Sequence, residues 1–415
     1  MTRTARWLVA LVLTTFTIGA CSSGTAAPTQ YTDQGISDTE VKIGFSGALT
    51  GGLAATQSYG QSIKAYFKML NATQGGVQFG DGKKRLVTVT LYDDAYDPAK
   101  TTENYRRANE EDKVFAMSGS GVVQNAARDY STRNKLPQVF VGSADPAFNN
   151  LSAYPYANAW WPSVGDDAYI DVQYALSKNP SAKIGSLALN NDFGKAVVES
   201  IKAALGTSKQ NQYVLAVNYD SNNADVSSQI QQLKNAGVDV LISNLAGAQG
   251  VSGPKYMTQI GWKPTVFMIN NSRGSYINPG GPDNFKGYYS TLYVKDPADP
   301  AWTKDAAVTK FAEVITKYAE AAKPDDLFAM QGYSAGEAWQ KVFEMMKQPT
   351  RAAMLDAINH GFKNVVLDVL YPGVTLNSGP GGRLIYARQQ VQFDGTQWQA
   401  VGTIVNGLDL PINKK

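Results

Sequence analysis

Short apolar runs that alternate with amphipathic stretches, twice over in one chain, restrict the architectures open to this sequence more than any single motif does. The first series opens with a short β run at residues 41–45 (VKIGF). A turn-rich stretch, 46–58, leads into a helix with Ile63, Phe67 and Leu70 at i, i+4 and i+7, stopped by Gly75 and Gly76. Residues 86–92 (LVTVTLY) are the next strand, and Asp97 with Pro98 form the N-cap and first position of a helix running to about Asp112. A third unit follows: strand 114–117, a Ser/Gly turn at 118–121, helix 122–134, strand 137–141, and a second small-residue turn at 142–145. Successive strand and helix pairs of this length predict a parallel, doubly wound sheet.

After Pro155 the alternation starts again. Strands at 183–189, 213–217, 238–243 and 265–269 are separated by helices near 194–205, 224–236 and 250–260, which makes a second α/β lobe. Beyond Gly287 come a strand at 288–294 and helices near 303–322, 327–347 and 351–359. The end reads as a hairpin, 384–393 and 397–405, turned at Asp394 and Gly395.

In an open parallel sheet ligands bind outside the carboxyl ends of the strands, so the turns at 118–121 and 142–145 lie on the face where a site forms. A helix N-terminus there offers unpaired N–H groups to an anion, and Ser120 and Gly121 are small enough to let it approach. Ordinary βα loops favour Gly and Ser too, and spacing alone leaves both readings standing. A dinucleotide fingerprint fits less well, because Gln124 stands where the third glycine belongs and no suitable strand-end acid follows.

The N-terminus has the pattern of an export signal: Arg3 and Arg6, an apolar run from Trp7 to Leu13, then TTFTIGA up to Cys21. The run falls well short of the roughly 20 apolar residues of a membrane-spanning helix. Cys21 is the only cysteine, so no intramolecular disulfide forms and the fold must hold by its core. Leaving Arg3 and Arg6 out of the 38 basic residues puts 36 against 35 acidic ones, a balance that suggests neither nucleic acid nor a basic membrane-binding surface.

Several blocks taken in order carry a family resemblance: SDTEVKIGFSGALTG, QSYGQSIKAYFKMLNATQGGV, LYDDAYDPAK, EEDKVFAMSGSG, YPYANAWWPS, NNDFGK, LKNAGVDVLIS, IGWKP and LYVKDPADPAW. With these the chain resembles the solute-binding lipoproteins of ABC importers in the leucine/isoleucine/valine-binding family. The resemblance implies a type I periplasmic-binding fold, two Rossmann-like lobes with parallel sheets joined by three hinge crossings that close on a ligand. Residues 1–20 become a lipoprotein signal peptide and 21–38 a flexible tether. Lobe 1 takes 39–161 and 292–385, lobe 2 takes 162–291 and 386–415, and the hinges fall near 161–165, 289–291 and 386–389. IGA before Cys21 is similar to a lipobox, which implies a lipidated Cys21 and anchoring to the outer face of the cell membrane; a plain secretory signal with a chance cysteine is the alternative. The implied partners are a small-molecule ligand and a membrane permease, with the protein a monomer that uses no cofactor or metal.

Carried over residue by residue, the serine that binds the ligand carboxylate falls on Ser120, and the contacts of the next βα turn on Gly142, Ser143 and Ala144. The aromatic near the first helix is matched by Tyr59 in SYGQ and the second-lobe aromatic by Phe193 in NDFG; interlobe packing is the other reading of both. Trp161 adds a stacking surface. Two positions depart from the family pattern: Asn271 stands where amino-acid binders place a glutamate for the ligand ammonium, and Ser243 and Asn244 fall near where a second-lobe tyrosine is replaced. A buried ammonium without a carboxylate partner costs several kcal/mol. The ligand implied is therefore a carboxylate or amide with an apolar or aromatic body and no charged α-amine. If an α-amine is bound after all, Asp166 or Asp192 is the nearest acid in sequence.

Enzymatic readings find little support. His360 is the only histidine, so no Ser-His-Asp, Cys-His or histidine-rich metal set assembles. The acid pairs Asp93 and Asp94, Asp166 and Asp167, and Asp325 and Asp326 read as turn and helix-cap residues, with a carboxylate-only hydrolase the other reading of them. A ligand-sensing protein of the same fold is the remaining alternative to an importer component.

Overall fold

A computed structural model describes residues 33–269 and 271–414. The signal segment, Cys21 and most of the expected tether lie outside the described residues. The last residues assigned to that tether are docked: Ile36 is buried, Gln34 bonds the Asn109 side chain at 2.8 Å, and Asp33 accepts the Arg351 amide at 2.8 Å.

The first sheet contains β1 (Glu40–Gly47), β2 (Val77–Gln78), β3 (Lys84–Asp93), β4 (Ala116–Gly119), β5 (Gln138–Val141) and β6 (Ala157–Ala159), in the order β2-β3-β1-β4-β5-β6. Its helices are α1 (Ser58–Gln74), α2 (Pro98–Glu110) and α3 (Arg128–Arg133). The second sheet contains β7 (Ile184–Leu189), β8 (Tyr213–Tyr219), β9 (Val240–Ser243), β10 (Thr265–Met268), β11 (Tyr289–Leu292), β12 (Ala387–Phe393), β13 (Trp398–Ala400) and β14 (Val405–Asn406), in the order β13-β12-β11-β10-β9-β7-β8 with β14 also on β12. Helices α4 (Val164–Lys178), α5 (Asp192–Leu205), α6 (Ser227–Asn235), α7 (Gly247–Gln259) and the one-turn α8 (Asn278–Gly280) connect its strands. The chain then returns to the first lobe as α9 (Ala306–Tyr318), α10 (Leu327–Met345) and α11 (Arg351–His360), with α9 and α10 packed along α1, and goes back to the second sheet at β12. Three crossings link the lobes, after β6, after β11 and before β12.

Local sequence explains these elements. β1 pairs with parallel neighbours on both sides and buries nearly every residue, as a central strand of an open sheet does. Asp97 caps α2 by accepting from the amides of Ala99 (2.8 Å) and Lys100 (2.9 Å), with Pro98 at the first position. Both sheets carry apolar cores on each face, around Phe45, Phe67 and Trp339 against Tyr105 and Met117 in one lobe, and around Leu187 and Leu241 against Val197 and Phe267 in the other.

The sheets are parallel-dominated as expected, with antiparallel neighbours at one edge of each: β2 on β3, and β11, β12 and β13. Two expectations change. The far arm of the final hairpin is split into β13 and β14, with Gly402 at φ 69° between them. The helix expected over 122–134 is a 3-10 turn, Val122–Ala127, before α3. Its tightening follows from Gln124, which is fully buried and donates to Asp94 Oδ2 (2.9 Å) and the Ser46 carbonyl (3.2 Å) while accepting from the Tyr105 hydroxyl (3.1 Å).

Candidate functional site between the lobes

The segments that leave the carboxyl ends of the strands meet between the two sheets. Lobe 1 contributes the turns after β4 and β5, and lobe 2 the start of α5 and the segments after β9 and β10. The crossings add Trp161, Tyr293 and Val294, and the end of β11 adds Thr291 and Leu292. The first turn of α10 adds Leu327, Phe328 and Gln331. Gly332 lets α10 come this close, because a Cβ there would lie 2.1 Å from the Tyr59 carbonyl.

Two adjoining chambers result, sharing Ala144, Trp161, Phe193 and Phe328. Of the positions drawn from sequence, Ala144, Trp161 and Phe193 line both, Asn271 lines the first, and Ser120, Ser143 and Asn244 line the second. Tyr59, Gly142 and Ser243 line neither.

Tyr59 is the clearest displacement. Its side chain is fully buried in lobe 1, its hydroxyl donates to the Phe140 carbonyl at 2.8 Å, and burial holds its pKa well above the ordinary value. It reaches the site only through Trp161, whose ring it meets edge-on at 5.9 Å. A Cβ at Gly142 would sit 3.2 Å from both rings, so this glycine lets the pair form. Ser243 and Asn244 separate by strand alternation, and only Asn244 faces the chamber.

The backbone does not offer what the sequence leads one to expect. The Ser120 amide donates to Ser46 (3.0 Å), Gly121 to Gly142 (2.9 Å), Gly142 to Gly119 (2.8 Å) and Ser143 to Val141 (2.7 Å). Among the described residues the Ala144 N–H has no protein acceptor, and it is the amide of the second turn left for a ligand. Asn271 is committed as well: its amide donates to Ser290 Oγ (2.9 Å) and the Thr291 carbonyl (2.7 Å), which leaves its carbonyl oxygen for a ligand.

Among the described residues neither chamber is lined by a lysine or arginine, and the one charged residue on their walls is Asp167. It sits in the first turn of α4, and its Oδ1 accepts from Thr291 Oγ1 (2.9 Å) and Arg388 Nη1 (2.8 Å). Arg388 also holds Asp166 at 2.8 Å. Asp166 and Asp192, the acids nearest in sequence, stay outside the chambers: Asp166 bonds Arg388 and Asn413, and Asp192 is exposed beside Lys195. Arg383, fully buried, braces the lobe 1 wall by donating to the carbonyls of Ser143 (3.0 Å), Asp145 (2.5 Å) and Trp161.

Four chamber-lining residues each hold a buried polar atom without a partner among the described residues: Ser120 Oγ, Trp161 Nε1, Tyr293 OH and Gln331 Oε1. Each such atom costs about 1–3 kcal/mol if left unpaired. Sequence reasoning missed Tyr293, Phe328 and Gln331, which arrive from the second crossing and from a helix far along the chain. Asp167 carried a visible signal, an acid doublet at a helix start, but read as a cap.

His360 lies on an exposed face of α11 beside Asp356, away from both chambers. Among the described residues no cluster of His, Cys, Asp and Glu could hold a metal ion, and no helix is long and apolar enough to cross a membrane.

A family model described as periplasmic binding protein matches residues 40–390. No curated protein matches the chain. Among solved structures, the chain is similar to a branched-chain amino acid ABC transporter protein from Thermus thermophilus with bound valine (17% identity, TM-score 0.76, covering 89% of this chain and 97% of that one). It is also similar to a solute-binding protein from R. palustris in complex with benzoate (16%, TM-score 0.69, 89% and 100%). A third similar structure is a fatty acid ABC transporter substrate-binding protein from Thermomonospora curvata (19%, TM-score 0.69, 90% and 94%).

Proposed function

The chain belongs to the periplasmic binding protein family, and from that premise we propose that it captures a small organic solute between its lobes and delivers it to an ABC importer of the branched-chain amino acid type. The family is one of binding proteins, not enzymes. The observation that carries the reading is the apolar cleft between the lobes, walled by four residues that each hold an unpartnered buried polar atom. A ligand that pairs with them removes their desolvation cost in the bound state, and Trp161, Phe193, Ile269 and Phe328 take its apolar body.

The ligand class that fits is a carboxylate or amide with an apolar or aromatic body. Ser120 Oγ, Trp161 Nε1 and the Ala144 N–H are donors for a carbonyl or carboxylate oxygen, while Gln331 Oε1 and the Asn271 carbonyl are acceptors for an amide N–H. A branched-chain α-amino acid is the second reading, and Asp167 favours it. With Asn271 committed, this is the acid on the chamber wall that an ammonium would meet.

A thermal-shift screen of amino acids, aromatic acids, short-chain amides and sugars tests both readings. A ligand at a hundred times its Kd adds about 2.7 kcal/mol to stability. Shifts with apolar acids or amides support the first reading, and shifts with leucine or valine but not their des-amino analogues support the second. No shift with any of these classes contradicts both. The lipid anchor at Cys21 belongs to the same proposal, with the protein acting as a monomer tethered at the outer face of the membrane. The mass of the native mature protein checks it, because an unmodified Cys21 removes the anchor.

A further inference from the structure

The chambers meet the starts of three helices, α4, α5 and α10, and a helix N-terminus is where an anion binds most readily. Here each of the three is already answered by a carboxylate of the chain. Asp326 caps α10 by accepting the Phe328 amide (3.1 Å), Asp166 and Asp167 occupy the first turn of α4, and Asp192 occupies that of α5. The cations behind the walls are committed too. Arg388 is shared between Asp166 and Asp167, at 2.8 Å from each, and Arg383 donates to backbone carbonyls and Asn149. The amides of Ser120, Gly121, Gly142 and Ser143 are held by backbone carbonyls. What the first chamber leaves free, among the described residues, is the Ala144 N–H, the amide end of Gln331, the Asn271 carbonyl and Asp167. The Asp167 side chain keeps 16% of its surface exposed; Thr291 and Arg388 take its Oδ1, and among the described residues its Oδ2 has no partner.

Resting on the cleft reading above, we infer that the head group held in the first chamber is a neutral primary amide, and that Asp167 is the specificity-determining residue that rejects the isosteric carboxylate. A primary amide offers its carbonyl to the Ala144 N–H and two N–H donors to the Asp167 and Asn271 oxygens. A carboxylate offers one oxygen to Ala144 in the same way, but its second oxygen is set against Asp167 and the Asn271 carbonyl. No uncommitted cation and no open helix N-terminus offsets that charge. The two head groups have the same shape, so the discrimination comes from hydrogen-bond polarity and charge and not from apolar fit.

The test is calorimetry on the mature protein at neutral pH with two isosteric pairs, benzamide against benzoate and isovaleramide against isovalerate. The expected result is an amide bound at least tenfold tighter than its own acid, with the gap narrowed to threefold or less in Asp167→Asn because the acid gains affinity. An acid bound as tightly as its amide, or tighter, overturns the inference and leaves the cleft reading in place. A gap that persists in Asp167→Asn overturns the role of Asp167. The order within each pair is read on the unmodified protein, so it is decided whether or not the variant folds. No binding by any of the four overturns the inference together with the carboxylate-or-amide reading on which it rests.

Discussion

Two arginines at the third crossing, Arg383 before β12 and Arg388 at its start, are both almost wholly buried and each braces one wall of the site, but by different means. Arg383 serves the lobe 1 wall and among the described residues bonds only neutral acceptors, three backbone carbonyls and Asn149 Oδ1; burial lowers its pKa to about 10. Arg388 serves the lobe 2 wall; burial works against its charge too, but Asp167 and Asp166 outweigh that and its pKa is raised. The lobe 1 wall is therefore fixed by backbone geometry. The lobe 2 wall is fixed by charge, and through Asp167 that charge reaches the first chamber.

Removing each arginine breaks the comparison most directly. Arg388→Met leaves Asp166 and Asp167 without their cation in a buried setting, with an expected loss of about 3–5 kcal/mol in urea unfolding. Arg383→Met removes its own buried charge and orphans only neutral acceptors, so about 1–3 kcal/mol is expected. Equal losses, or the reverse order, would show that the two walls are held alike.

A smaller effect sharpens the lobe 2 side. Asn271→Glu gives up both donated bonds and sets a carboxylate against the Thr291 carbonyl, so it should cost about 1–3 kcal/mol before it alters any ligand preference. A variant as stable as the parent that gains leucine binding would mean that the side chain is free to turn into the chamber.

That position also marks how far the sequence could be read. Alternation at periods of 2 and 3.6 made both α/β lobes legible, and the small-residue turns placed Ser120, Ser143 and Ala144 on the chamber walls. Tyr59 was not legible, because nothing in SYGQ distinguishes a ring turned toward a ligand from one turned into the core. The engagement of the turn amides depends on partners such as Ser46 and Gly119 that only the sheet register supplies. Phe328 and Gln331 reach the site through the packing of α10 on α1 at Gly332, which is a tertiary fact with no local pattern.

A last effect is pH dependence to which the lobe 2 cluster contributes. Asp171 is buried beside Asp167, and burial first, then that neighbour, push its pKa well above the ordinary value. The unfolded chain loses this proton near the ordinary carboxylate pKa while the folded chain keeps it, so stability falls as pH rises from there toward the folded value. Asp171→Asn should flatten that slope in unfolding curves taken across the acid to neutral range. An unchanged slope would place the titration elsewhere, with Asp296, raised to about 7 mainly by burial, the next group to substitute.

The central claim is that one solute touches both walls at once. Calorimetry with the compound that stabilises the protein most in the thermal-shift screen tests it, using Ser120→Ala from lobe 1 and Phe193→Ala from lobe 2. The account predicts that each substitution weakens the same compound by roughly tenfold to a hundredfold, about 1.5–3 kcal/mol. An unchanged Kd in either variant would contradict it.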